Sequence, residues 1–249
     1  MPSMPKRTAA DVPPPAKRAA AAPAAADETI CLISVCDQGY AEVADANKRA
    51  YCERHGYAYR SYDAPLDASR HIAWSKVIAC LRLLPDYAWV MWTDADSLIM
   101  DAEQSLERWT ATDKAIVICQ EENDTFTLNT GQFLVRNCDA SRWFLQAWLD
   151  RCPEHSASLK TLIDQPHFMK VYEEHAWARE AVEIREQREF NSFWHHYRAG
   201  DFILHFAGMR PHWGCGDARN LVMRYCSGRA DEVAVLEFLP TMFPGAYLG

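Results

Sequence analysis

An α/β fold is predicted by three observations. Short apolar runs of strand length recur along the chain, stretches with helical start and stop signals lie between them, and polar residues collect directly after the apolar runs. Strands alternating with helices give a layered domain, and open sheets of this kind bind ligands at the carboxyl ends of their strands.

The elements follow in order from Thr29. Ile30 to Val35 is an apolar run of buried-strand length. After a turn at Cys36-Asp37-Gln38-Gly39-Tyr40, a helix is expected from about Ala41 to His55, stopped by Gly56. Tyr57 to Tyr62 alternates as a strand does. A second helix is expected from about Trp74 to Leu84, ended by Pro85. Trp89 to Thr93 is the next strand, followed by strands at Ala115–Cys119 and Phe133–Val135. Ser141 is expected to cap a helix running through Trp148, residues 161–175 read as helix interrupted early by Pro166, and Phe202–Phe206 is a late strand.

The strand beginning at Trp89 ends in acid: Trp92-Thr93-Asp94-Ala95-Asp96-Ser97. Residues i and i+2 of a strand share a face, so Asp94 and Asp96 point the same way if extended geometry persists. Adjacent carboxylates repel unless a cation or shared proton compensates them, and hard divalent cations take oxygen ligands. Three further groups carry chemistry. Leu128-Asn129-Thr130-Gly131-Gln132-Phe133 reads as a polar turn feeding an apolar strand; its amide and hydroxyl suit a hydroxyl-rich ligand, and Gly131 admits close backbone approach. Asp164-Gln165 follows Leu162-Ile163. His205 sits at a strand end before Gly208 and Arg210, where an imidazole completes a carboxylate coordination shell and a guanidinium pairs with phosphate. His195-His196 has no evident partner motif.

The formal net charge is −8, and the first 28 residues carry four basic and three acidic groups, which leaves −9 on the remainder. An acidic body is a poor non-specific nucleic-acid binder. The nine cysteines show no C-x-x-C spacing, which argues against a zinc ribbon or a thioredoxin-type site. Cys31, Cys36, Cys80 and Cys119 read as reduced and mostly buried; Cys138, Cys152, Cys215 and Cys226 leave a disulfide open. No apolar run is long enough to span a bilayer, and the N-terminus lacks a hydrophobic signal core, so the chain as written is expected to be cytoplasmic. Residues 1–28, rich in Ala and Pro, read as a disordered tail; residues 29–249 read as a single domain.

The order of blocks resembles a known family. Tyr51-Cys52-Glu53-Arg54-His55-Gly56, Trp74-Ser75-Lys76, Trp92-Thr93-Asp94-Ala95-Asp96, Asn129-Thr130-Gly131-Gln132-Phe133-Leu134-Val135-Arg136-Asn137, Asp164-Gln165 and His205-Phe206-Ala207-Gly208 follow one another as in the galactosyl transferase family of fungal α-mannosyl- and α-galactosyltransferases and plant xyloglucan xylosyltransferases. The resemblance implies a GT-A nucleotide-diphospho-sugar transferase fold, with a Rossmann-like mixed central sheet flanked by helices, and a retaining mechanism. It implies Mn²⁺ or Mg²⁺ on Asp94, Asp96 and His205. The donor, a UDP- or GDP-sugar, would be bound through Asp94, Asp96, Lys76, Gly131, Gly208 and Arg210. Asn129, Asp164 and Gln165 would act at the sugar, and the acceptor would be a glycan or glycoconjugate hydroxyl. Arg210 stands where the family usually has Lys. Relatives in the family are Golgi-luminal. Two other readings stay open. Val90 to Leu98 also resembles the first motif of haloacid-dehalogenase-type Mg²⁺ phosphatases, and the fold can serve as an inactive nucleotide-sugar-binding module.

Overall fold

The computed structural model describes residues 30–36, 41–121, 127–153, 156–158, 164–208, 223, 226 and 227. The chain runs β1 (Ile30–Val35), α1 (Ala41–His55), β2 (Ala58–Tyr62), α2 (Ser75–Leu83), β3 (Trp89–Thr93), β4 (Ser97–Ile99), α3 (Glu107–Thr110), β5 (Ile116–Gln120), β6 (Leu128–Arg136), α4 (Asp139–Leu149), α5 (Gln165–Glu174), α6 (Ala176–Ala181), β7 (Val182–Arg185), α7 (Gln187–Phe190), β8 (Ser192–Phe193) and β9 (Ile203–His205). The expected tail, Ile163, Arg210 and Cys215 lie outside the described residues.

Six strands form a mixed sheet in the order β2-β1-β3-β6-β5-β7. β1 runs parallel to β2 and β3, β6 is antiparallel to both β3 and β5, and β7 is parallel to β5. β1, β3 and β5 are continuous apolar runs because both faces are covered, whereas the edge strands β2 and β7 are mixed and partly exposed. Alternate residues serve opposite sides: Cys31, Ile33, Val90, Trp92, Ile116 and Ile118 pack with Trp74, Phe144, Trp148 and Phe168. Ile30, Leu32, Met91, Val117 and Leu134 pack with Tyr51, Trp109, Phe190 and Phe202 on the other side.

A second, three-stranded sheet has the order β4-β9-β8, with β4 antiparallel and β8 parallel to β9. It covers a smaller core that includes Ala44, Leu98, Trp194, Tyr197, Leu204 and Phe206. Trp194 and Tyr197, which an exposed position would have offered to a sugar ring, are therefore core residues.

Four sequence expectations are corrected. Asn129-Thr130-Gly131 is not a turn before a strand but part of β6 itself. The β5–β6 register jumps at this point: Ile118 faces Phe133 and the next residue, Cys119, faces Asn129, while β6 keeps its pairing to β3 at Trp92/Phe133 and Thr93/Gln132. The bulge bends the strand just where its polar residues lie. Ser141 lies inside α4, which begins at Asp139, and its buried hydroxyl donates to Ala115 O at 3.1 Å. Pro166 does not interrupt α5 but occupies its first turn, where a missing N–H leaves no helical bond unmade. Extended geometry does not persist to Asp96, because β3 ends at Thr93 and a turn follows. By contrast, α1 ends at His55 as expected, with Gly56 at φ +70°.

Among the described residues no helix is long and apolar enough to cross a membrane. Cys31, Cys36, Cys52, Cys80, Cys119, Cys138, Cys152 and Cys226 are free thiols. Leu134 is fully buried on the central strand β6. Leu134→Ala should destabilise the domain by about 2–5 kcal/mol, read as a lower urea midpoint at an unchanged slope.

Candidate functional site

The turn after β3 is pinned through backbone atoms of Asp94, Asp96 and Ser97. Asp94 N–H donates to Gly131 O at 2.8 Å. Asp94 O accepts from Ser97 Oγ at 2.6 Å and from Lys48 Nζ at 3.1 Å, and Ser97 O accepts from the same ammonium at 3.1 Å. Asp96 O accepts from Phe206 N at 2.8 Å. The small sheet supplies the rest of the placement: Ser97 in β4 lies opposite His205 in β9. Residues far apart in the chain are thereby brought to one point.

Asp94, Asp96 and His205 each offer a ligand atom, and these atoms lie within 4.8 Å of one another. His205 Nε2 is 3.4 Å from Asp96 Oδ1 and 3.9 Å from Asp94 Oδ2. Asp94 Oδ1 accepts from Trp92 Nε1 at 2.7 Å. Burial raises the Asp94 carboxyl above its ordinary range, opposed by Lys76 and reinforced by the negative charge of Asp96. Two carboxylates and an imidazole nitrogen facing one another are a donor set that fits a divalent cation, which would relieve that repulsion.

Lys76, expected from sequence to contact the donor, is buried beneath the cluster. Its Nζ lies 2.9 Å from Asp164 Oδ2, 3.3 Å from Asp94 Oδ1 and 3.1 Å from Thr130 O. Burial alone would depress its pKa, but Asp164 and Asp94 outweigh it and the ammonium is held charged. Asp164 also accepts from Thr130 Oγ1 at 2.9 Å, and Gln165 Oε1 accepts from Thr130 N at 3.1 Å. Asn129 Oδ1 accepts from Gly131 N at 2.9 Å, and Asn129 Nδ2 donates to Glu121 Oε2 at 3.1 Å. Its amide is thus engaged inside the protein on both ends. Gly131 has no room for a side chain: a Cβ would come within 2.3 Å of His205 Cε1. Gly208, at φ +70°, closes the turn after β9; Arg210 lies outside the described residues.

A cavity of about 420 Å³ opens at the carboxyl ends of β1 and β2, lined by Ser34, Cys36, Asp45, Tyr59, Ser61 and Asp63 among others. Asp94, Asp96 and His205 are not among these lining residues; β1, which pairs with both β2 and β3, is the strand shared between the cavity and the end of β3.

Sequence reading passed over three residues of this site: Lys48, Glu121 and Asn191. For Lys48 a signal was present. It falls with Ala44, Tyr51 and Cys52 on the buried face of α1, and a lysine in an apolar stripe implies an internal acceptor. Burial lowers the Lys48 pKa to about 8, against partial opposition from Asp96, Cys36 and Asp94. Between about 8 and the ordinary lysine value of 10.5 the unfolded chain holds the extra proton, so folding stability rises with pH over that window. Denaturation of metal-free protein at pH 7.5 and 10 should therefore show wild type gaining on Lys48→Met; a difference that stays flat would contradict the assignment.

Residues 25–117 and 109–216 match the family model described as the galactosyl transferase GMA12/MNN10 family. A probable glycosyltransferase 3 of Oryza sativa subsp. japonica is 29% identical over 217 residues, covering 70% of this chain and 47% of that protein. An alpha-1,2-galactosyltransferase of Schizosaccharomyces pombe is 24% identical, covering 68% and 56%. A probable xyloglucan 6-xylosyltransferase 3 of Arabidopsis thaliana is 27% identical, covering 72% and 48%. The chain spans about half the length of the curated relatives it matches. The fold is shared with the crystal structure of a glycosyltransferase involved in glycosylation of the major capsid of PBCV-1, at a TM-score of 0.63 and 17% identity, covering 79% of this chain and 99% of that one. The architecture is that of GT-A glycosyltransferases, and the chain belongs to the galactosyl transferase GMA12/MNN10 family.

Proposed function

We propose that residues 29–249 form one transferase domain that moves a hexose or pentose from a nucleoside diphosphate sugar to a hydroxyl of a glycan or glycoconjugate, with retention at the anomeric carbon. The observation that carries the reading is the convergence of Asp94, Asp96 and His205 at the carboxyl end of β3. The cavity suits the nucleoside, and a UDP-sugar is the favoured donor. Mn²⁺ or Mg²⁺ held by the three ligands would supply Lewis acidity toward the diphosphate as negative charge builds on it.

The chain's own residues divide the remaining work. Lys76 holds Asp94 and Asp164 in fixed relation through one buried ammonium. Asp164 and Gln165, both tied to Thr130, stand at the sugar end, where carboxylate and amide oxygens stabilise an oxocarbenium-like state. Gly131 makes room for the His205 ring beside the donor, and Gly208 and Arg210 serve the phosphates. Attack by the acceptor on the same face as departure is favoured over a covalent intermediate, because the Asp164 carboxylate is committed to Lys76 and Thr130. Mass spectrometry that traps a glycosyl adduct on Asp164 would overturn that preference. The phosphatase alternative needs its first Asp on the first strand of the domain, whereas Asp94 follows the third.

Incubation with Mn²⁺ and a panel of nucleotide sugars should release nucleoside diphosphate from at least one donor. Asp96→Ala should lower that rate about a hundredfold or more, equivalent to roughly 3 kcal/mol of transition-state stabilisation. Metal-dependent UDP binding without turnover would favour the binding module instead.

A further inference from the structure

A chain of side-chain amides runs behind the cluster. His205 Nδ1 is 2.8 Å from Asn191 Oδ1, and Asn191 Nδ2 donates to Asn129 Oδ1 at 2.8 Å. Asn129 Oδ1 also accepts from Gly131 N, while Asn129 Nδ2 donates to Glu121 Oε2. Glu121 Oε2 takes a second donor, Gln165 Nε2, at 2.6 Å.

The polarity of this chain is fixed by groups that cannot reverse. A backbone N–H only donates, so the Asn129 atom facing Gly131 must be its oxygen. That oxygen also faces Asn191, so the Asn191 atom toward it must be nitrogen. The other end of the Asn191 amide, its oxygen, then faces His205 Nδ1, which must carry the hydrogen. Glu121 Oε2, which accepts from Asn129 Nδ2, agrees with the same orientation of Asn129 from the opposite side. The other ring nitrogen, Nε2, faces Asp94 and Asp96. Asn191 is fully buried, as its neighbours nearly are, so water has little access to replace a lost bond. The position is held from both sides: Asn191 N donates to Gln187 O at the end of α7, and the next two residues form β8, whose Phe193 pairs with His205.

We propose that Asn191 is a positioning residue that sets the tautomer of His205, and that the backbone N–H of Gly131 dictates that tautomer through Asn129 and Asn191. The role of the tautomer rests on the divalent-cation reading of the cluster; the tautomer itself does not. A histidine that ligates through one ring nitrogen is oriented by the partner of the other.

Two measurements test it. In metal-free protein, ¹⁵N NMR of the His205 ring should show the Nδ1–H form in wild type and in Asn191→Asp, which keeps the acceptor. The isosteric Asn191→Leu should lose that form. Mn²⁺ titration followed by electron paramagnetic resonance should show affinity falling about 10- to 100-fold in Asn191→Leu and largely kept in Asn191→Asp. An Nε2–H wild type, or equal loss in the Asp and Leu variants, overturns the proposal. Unchanged Mn²⁺ affinity in Asn191→Leu overturns it while the cation reading stands. Absence of Mn²⁺ binding by wild type removes the cation reading and the role of Asn191 with it, even where the tautomer is as expected.

Discussion

Three carboxylates, Asp94, Asp96 and Asp164, meet where β3 ends, and buried like charges are tolerable only when cations stand among them. Lys76 answers this from below, with one ammonium between Asp94 and Asp164. Lys48 answers it from the side of α1, donating to the backbone carbonyls of Asp94 and Ser97 rather than to a carboxylate. The two lysines fix both the charge and the shape of the turn. What they leave uncompensated faces His205 and is the space a divalent ion would fill. Most other features of the site, from the pinned carbonyls to the small second sheet, hold that arrangement in place.

The antiparallel strand β6 is the means by which Thr130 brings Asp164 and Gln165 to this charge centre. It lies between β3 and β5, so Gly131 O can accept from Asp94 N–H while Thr130 turns to Asp164 and Gln165. The register jump against β5 frees these residues from one ladder without releasing them from the other. A strand that bulges on one edge and pairs on the other gives rigid backbone and unusual side-chain directions together.

Much of this was legible in sequence where the signals are local. The apolar runs at Ile30 and Trp89, the Gly56 stop and the acid-rich end of β3 each announce themselves within a few residues. The Asn129-Thr130-Gly131 block was visible as chemistry but misread as a turn, because Asn and Gly favour turns and nothing local reveals a neighbouring strand that accepts a bulge. β9 falls within the apolar run at Phe202–Phe206, but β4 and β8 are two or three residues long, too short to carry a period, and the pairing of all three joins distant segments. Asn191 and Glu121 gave no warning, since an amide or carboxylate between structured segments looks like a surface residue until tertiary contacts bury or engage it. Their importance is a property of the assembled site rather than of any stretch of chain.

The contact between Gly131 and the His205 ring has an evolutionary consequence. The imidazole and the side-chain oxygen of Asn129 occupy the volume that any side chain at position 131 would need. The two positions therefore cannot drift independently. A lineage that keeps histidine at 205 is confined to glycine at 131, and a larger residue at 131 becomes available only once the imidazole is gone. Paired substitution at 131 and 205 would then mark a homologue in which the imidazole no longer stands at this centre.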